Sequence, residues 1–152
     1  MKVQKRRGFS LVELLLSVAI IAGLASLSAP VTIRYLSYHN LASAEDSAIM
    51  ALRRAQSLSF YDRNAQPWGV YIQEGEIVVF SGTSYASRES FRDERYAISP
   101  GITITGDKEI IFDRLTGEVE SLKTVVFSDD FDRSIRIYAH EKGSISSSST
   151  GI

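Results

Sequence analysis

The chain has 152 residues, of which 44% are hydrophobic and 23% are charged, and its formal net charge is −1. This length favours one domain, and the composition excludes a wholly disordered chain. The sequence contains no cysteine, and its two histidines are His39 and His140. It therefore excludes disulfides, thiolate metal sites, cysteine nucleophiles and multi-histidine metal centres. We predict no metal, no cofactor and no catalytic residue.

The charges are distributed unevenly along the chain. Lys2, Lys5, Arg6 and Arg7 lie in the first eight residues, and removing these four from the net charge of −1 leaves −5 for the remainder. Residues 14–33 form an uncharged run of 20 residues, which matches the ~20 needed to cross a bilayer core. The basic flank predicts a cytoplasmic N-terminus, with the body of the protein on the far side of the membrane.

One acid, Glu13, directly precedes this apolar run. A carboxylate costs about 2.5–3.5 kcal/mol at the centre of a membrane helix and less near the interface. The sequence therefore predicts either a cationic partner for Glu13 within an assembly or a side chain that reaches the lipid headgroups. A cleaved secretory signal is the alternative for the apolar run, because small residues at 25–29 are typical of a cleavage point.

Residues 5–14, Lys-Arg-Arg-Gly-Phe-Ser-Leu-Val-Glu-Leu, resemble the class III signal of type IV prepilins and type II secretion pseudopilins. The resemblance implies that a prepilin peptidase removes residues 1–8 as a leader by cutting between Gly8 and Phe9 on the cytoplasmic side. It also implies that Phe9, the new N-terminus, is methylated.

The same resemblance implies that residues 9–33 are retained as a transmembrane and filament-core helix, kinked at Pro30. The α-amino group exposed at Phe9 is cationic at neutral pH, and Glu13 of a neighbouring subunit can pair with it when the two helices are offset. Because an unpaired charge is costly in a low dielectric, this pairing would select one stagger. Glu13 is therefore the predicted register residue of the assembly.

Residues 34–62 continue the helical pattern as an amphipathic half. Apolar residues recur at steps of three and four, which predicts a core-facing stripe on one helix from about Phe9 to Tyr61, with Gly23 and Pro30 as expected weak points. The stripe comprises Leu41, Ala44, Ala48, Leu52 and Ala55, opposite Glu45, Asp46, Arg53 and Arg54.

Residues 63–152 are rich in β-formers and turn residues, which predicts a β-rich globular head and an α+β, pilin-like fold. A hairpin is predicted across residues 74–76 and a second turn at 106–108. The predicted strands are 68–73, 77–80, 102–105, 109–112, 118–122, 124–127 and 134–138, with one more near Ile145.

Two stretches of the head, residues 68–71 with 79–80 (Trp-Gly-Val-Tyr, Val-Phe) and residues 111–117 (Ile-Phe-Asp-Arg-Leu-Thr-Gly), resemble the H-type pseudopilins and FimT-like minor pilins. This resemblance implies a β-sandwich-like pair of sheets on the helix and a structural subunit rather than an enzyme. Its implied partners are the prepilin peptidase, other pilins or pseudopilins, and an inner-membrane assembly platform. The implied location is the inner membrane, with a single span and the head outside the cytoplasm. The alternative within this resemblance is that the chain is a major pilin.

Some FimT-like minor pilins bind DNA, which is the alternative function. Arg88, Arg92 and Arg95 lie close together, but Glu89, Asp93 and Glu94 alternate with them. The tail, residues 143–152, has no basic residue, whereas the DNA-binding members carry an arginine-rich motif near that end. We therefore expect no nucleic acid as a direct partner.

A cluster of acids, Asp129, Asp130 and Asp132, lacks the spacing of an EF-hand. It predicts a polar turn rather than a calcium site.

Overall fold

The computed structural model describes residues 9–61 and 65–150, and of residues 27–31 the backbone alone. Its first element is the helix α1, Leu11–Phe60, 50 residues long, which confirms the predicted helix to within two residues at each end. The Ser10 carbonyl accepts the N–H of Leu14 at 3.1 Å, as expected for a residue that caps the first turn. Within the described ranges, no helix combines the length and the hydropathy that crossing a membrane requires.

The structure divides into two compact units inside this helix, one ending at Leu36 and the other beginning at Ser37. We call the second one the head unit. The predicted leader, residues 1–8, lies outside the described residues. The helix continues through Pro30, and the predicted kink there stays a prediction, as do the predicted domain boundaries.

Eight strands of the head unit form two antiparallel sheets of four strands each. The strands are β1 Trp68–Gln73, β2 Glu76–Ser81, β3 Glu94–Ala97, β4 Thr103–Gly106, β5 Glu109–Phe112, β6 Lys123–Ser128, β7 Ser134–Ala139 and β8 Ile145–Thr150. The first sheet has the strand order β3-β2-β1-β5, and the second has β4-β6-β7-β8. The predicted α+β class, the hairpin between β1 and β2 and the C-terminal strand near Ile145 are confirmed.

The second half of α1 and both sheets share one hydrophobic core. The predicted stripe is confirmed, because all five of its residues are at most 2% exposed. Small alanines in this stripe allow the helix to approach the sheets closely, and a fully buried leucine such as Leu52 contributes about 1.5–3 kcal/mol. Opposite the helix, the core includes Val70, Ile72, Ile110 and Phe112 of the first sheet and Val125, Phe127, Ile135 and Ile137 of the second.

A buried serine ties the end of the helix to the first sheet. The Ser59 hydroxyl accepts the N–H of Trp68 at 2.7 Å and donates to the carbonyl of Phe112 at 2.9 Å. The Ser59 carbonyl in turn accepts the N–H of Leu115 at 3.0 Å. Buried backbone groups need hydrogen-bond partners, and this one hydroxyl supplies a partner to a backbone group in each of two strands, β1 and β5.

A glutamine one turn earlier joins two loops of the head unit. Gln56 donates from Nε2 to the carbonyl of Gly117 at 3.1 Å and to that of Gly143 at 2.7 Å. A Cβ at Gly143 would lie 2.5 Å from the Gly117 oxygen. Glycine is therefore required where these loops meet.

The strand predicted at residues 118–122 is wrong. Val119 is buried in the core, and its N–H donates to the carbonyl of Glu141 at 3.0 Å. The segment forms no ladder with the described strands. Its apolar residue anchors a loop, which a period-two pattern does not distinguish from a strand.

The turn at residues 106–108 does not form a hairpin, because β4 and β5 lie in different sheets. Gly106 has a φ of +91°, and a Cβ there would lie 2.3 Å from the Thr124 carbonyl oxygen. The Asp107 carboxylate accepts the N–H of Thr124 at 2.8 Å. These contacts hold the turn against β6, and the chain then passes from the second sheet to the first.

Candidate assembly site and the surfaces of the head unit

The first unit of the chain presents large apolar side chains on all sides of the helix. Phe9, the first described residue, is 81% exposed, whereas Gly8, its predicted cleavage partner, lies outside the described residues. The other exposed apolar side chains before residue 27 are Leu11, Val12, Leu14, Leu15, Leu16, Val18, Ile20, Ile21 and Leu24. A helix that is apolar all round is stable only in lipid or among other helices.

Glu13 lies in the first turn of this helix, where the helix dipole favours a negative charge. Its side chain is exposed, and no cation of the described residues forms an ion pair with it. The contact that the structure gives this residue is at its backbone, where its carbonyl accepts the Ser17 hydroxyl at 2.8 Å. The carboxylate is therefore available to a group from another chain.

In the head unit, a loop at residues 82–93 covers the face of the first sheet that points away from the shared core. Tyr85 of this loop stacks on Tyr71 with ring centroids 4.0 Å apart and meets Phe80 edge to face at 5.6 Å. The Glu109 carboxylate accepts the N–H of Tyr85 at 2.7 Å. Gly69 makes room for Phe80, whose ring would lie 2.7 Å from a Cβ at that position.

The three arginines of this region are neutralised by neighbouring acids, as their sequence predicted. Arg88 pairs with Asp93 at 3.1 Å, and Arg92 pairs with Glu89. The third, Arg95, pairs with Glu76 at 2.9 Å and with Asp93 at 3.3 Å.

The charged side chains of residues 88–95 are held by packing and by ion pairs. The Arg88 side chain is 19% exposed and lies 3.6 Å from the centre of the Tyr85 ring. The last two residues of the segment 88–95, Glu94 and Arg95, begin β3.

The acidic cluster after β6 forms the predicted polar turn. The Asp129 side chain is fully buried; Oδ1 accepts the N–H groups of Phe131 and Arg133, and Oδ2 accepts the Ser37 hydroxyl at 2.8 Å and Arg133 Nε at 2.8 Å. Burial alone would raise the pKa of Asp129, but these hydrogen bonds outweigh it and hold the pKa below its usual value. Both carboxylate oxygens are thus occupied by donors.

The remaining polar residues of the described ranges do not converge on one centre. A groove of about 500 Å³ beside β5 is lined by Glu109, Asp113 and Glu120 together with Lys123. Within the described ranges, no group of three or more acids or histidines is placed to hold a metal ion. His140 hydrogen-bonds to Ser146 at 3.0 Å on the head surface.

Comparison with known proteins finds one sequence motif and one similar fold. Residues 3–27 match the family described as the prokaryotic N-terminal methylation motif. The fold is similar to that of the minor pseudopilin EpsH from the type 2 secretion system of Vibrio cholerae, with a TM-score of 0.53 and 13% identity. Both findings agree with the resemblance of residues 5–14 to the signal of type IV prepilins and type II secretion pseudopilins. The match covers 72% of this chain and 98% of that structure. No curated protein sequence matches the chain.

Sequence reasoning identified the N-terminal methylation motif but missed the polar contacts within the head unit. Ser59, Gln56 and Ser37 are small or neutral polar residues on the helix, and their contacts lie 9 to 92 residues away along the chain. The available signal was a polar residue beside the apolar stripe. A polar residue at such a position does not indicate which distant group it hydrogen-bonds to.

Proposed function

We propose that this chain is a minor subunit of a type II secretion pseudopilus, of the H-type branch, with a structural rather than a catalytic role. Two features support the proposal: the methylation motif at residues 3–27, and a head fold similar to that of a minor pseudopilin. The subunit spans the inner membrane once through residues 14–33 and holds its head on the periplasmic side.

Maturation follows from the N-terminal motif. The prepilin peptidase cuts between Gly8 and Phe9, and Phe9 is then methylated. An inner-membrane assembly platform transfers the mature subunit into the filament, where Glu13 pairs with the α-amino group of a neighbouring subunit. The observation that carries this assembly step is a carboxylate in the first turn of the helix, directly before the uncharged run of residues 14–33 and unpaired among the described residues.

The electrostatics favour a secretion role over the DNA-binding alternative. Phosphate recognition requires unpaired, clustered cations, but Arg88, Arg92 and Arg95 are each paired with an acid. The tail after residue 142 adds no basic residue. A DNA backbone would thus have to break existing ion pairs to bind this surface.

Deletion of the gene tests this assignment. We expect export of folded proteins into the medium to stop while surface pili and DNA uptake are unchanged, and expression of the full chain should restore export. Normal export together with a loss of pili or of DNA uptake would overturn the secretion role and favour a pilus subunit. Retention of the chain on DNA at physiological salt would favour the DNA-binding alternative.

A further inference from the structure

The last strand of the second sheet has an unprotected edge. Among the described strands, β8 pairs with β7 alone, so the backbone groups of its other side face solvent. Proteins usually protect such edges with charges, prolines or bulges, but β8 reads Ile-Ser-Ser-Ser-Ser-Thr and pairs with β7 in an unbroken register. By contrast, the edge strand β3 carries Glu94 and Arg95, both in ion pairs.

Beside this edge, a groove between β8 and the helix leaves part of the core side of the sheet exposed. Ser147 and Ser149 lie directly opposite Ile137 and Ile135, so they share the core-facing side of the sheet. Both serines are nevertheless exposed, because a groove of about 350 Å³ separates β8 from the helix. Ile135 forms part of the groove floor.

The helix supplies the opposite wall of this groove with Tyr38, Ala42 and Glu45. Glu45 is half-buried, and no cation of the described residues forms an ion pair with it. A group that enters the groove therefore meets a small apolar surface along the helix, the polar surface of the β8 serines and one carboxylate without an ion pair among the described residues.

We propose that β8 and this groove bind an extended segment of a neighbouring filament subunit, which adds to the second sheet as a fifth strand. Its backbone pairs with the free edge of β8, its alternate apolar side chains point into the groove, and a lysine or arginine lies opposite Glu45. This mode of recognition takes its affinity from main-chain hydrogen bonds and its specificity from alternate side chains. The identity of the partner as a filament subunit rests on the proposed function.

A second copy of β8 does not fit this groove. Its serines would leave the apolar wall uncovered, and residues 143–152 contain no cation to neutralise Glu45. The occupant is therefore a segment of different sequence, with period-two apolar residues and a positive charge.

Binding of a defined peptide to the full chain in detergent tests the proposal. The probe is a ten-residue peptide of alternating valine and threonine with one central lysine, and a matched peptide carries glutamate in its place. We expect the lysine peptide to slow amide exchange in β8 by at least about tenfold and to leave β4, the other edge of the same sheet, unchanged. Glu45→Gln should weaken binding about tenfold, whereas Asp46→Asn, which removes an exposed neighbouring acid, should not.

Several results would overturn the proposal. Amide exchange in β8 that is unchanged at saturating peptide would do so, as would equal slowing of amide exchange in β4. Equal affinity of the chain for the lysine and glutamate peptides would also overturn it, as would slower exchange in β8 when the chain concentration alone is raised. Dependence on the chain concentration would show that β8 pairs with a second copy of the chain.

A second experiment places a photo-crosslinking residue at position 147, in place of Ser147, in chains that are then assembled into filaments. A crosslink to an extended, cation-containing segment of another subunit supports the proposal, and crosslinks confined to lipid contradict it. If the peptide fails to bind while deletion still stops export, the docking edge is wrong and the proposed function stands. If the peptide binds but Ser147 crosslinks to a protein that is no filament subunit, the docking edge stands and its assigned partner is wrong.

Discussion

Replacement of Glu13 by alanine is expected to reduce incorporation of the subunit into filaments by about a hundredfold. In the assembled state the carboxylate would lie in a low dielectric opposite the α-amino group of the next Phe9. Removal of one partner of a buried ion pair costs about 3 kcal/mol or more, because the other charge is left unpaired, and that corresponds to about two decades in an equilibrium. Quantitative immunoblotting of sheared filaments against the membrane fraction measures the effect.

The direction of this effect separates two accounts of assembly. Alanine makes the helix more apolar, so burial of hydrophobic surface alone predicts equal or better incorporation. Ser17→Ala, one helical turn further along, is the matched control and should assemble normally. Membrane insertion and cleavage of the Glu13→Ala chain should be unchanged. Normal incorporation of that variant would refute the register role of Glu13.

Replacement of Asp129 by asparagine is expected to lower the free energy of unfolding of the head unit by about 3 kcal/mol. The change removes the negative charge that holds the largely buried Arg133 and the Ser37 hydroxyl, and removal of one partner of a buried ion pair is destabilising. Urea unfolding of the full chain in detergent measures it through the fluorescence of Trp68, the single tryptophan of the sequence, which lies buried in the core.

The stability of the head unit should also depend on pH through Asp129. Its pKa is lower in the folded state than in the unfolded chain, so its contribution is fully present above the unfolded value of about 3.9. That contribution is lost as the pH falls through the lowered, folded-state pKa. The wild type should therefore lose stability more steeply than Asp129→Asn in this acid range.

Asp130→Asn is the matched control for both measurements, because the neighbouring Asp130 is exposed and lies outside the network of hydrogen bonds around Asp129. It should unfold like the wild type at every pH. Equal stability of Asp129→Asn and Asp130→Asn would contradict the structural role of the turn.

The helix and most strands were predictable because their residues satisfy a strong local period. The stripe from Leu41 to Ala55 follows the helical repeat, and all its members are buried. The hairpin of β1 and β2 closes on Gly75, whose φ of +84° is the conformation that glycine favours in tight turns. Local sequence thus determines these elements without information from the rest of the chain.

The remaining features depend on contacts that no local window contains. β3 was missed because Glu94 and Arg95 resemble a solvated loop, whereas their charges are neutralised by Arg54 and Glu76 from distant elements. Val119 carries the same apolar signal in a loop as it would in a strand. The separation of β4 and β5 into two sheets depends on Thr124, which lies 18 residues beyond Gly106 and holds the turn from a strand of the second sheet.

The mass of the mature chain, purified from filaments, tests the central claim most directly. We expect a chain that begins at Phe9, lacks residues 1–8 and carries one methyl group on its N-terminal amine. A filament subunit that retains Met1 and the basic leader would contradict the account, as would a chain cut near residue 29. In the first case no amine is freed at Phe9, and in the second Glu13 itself is lost.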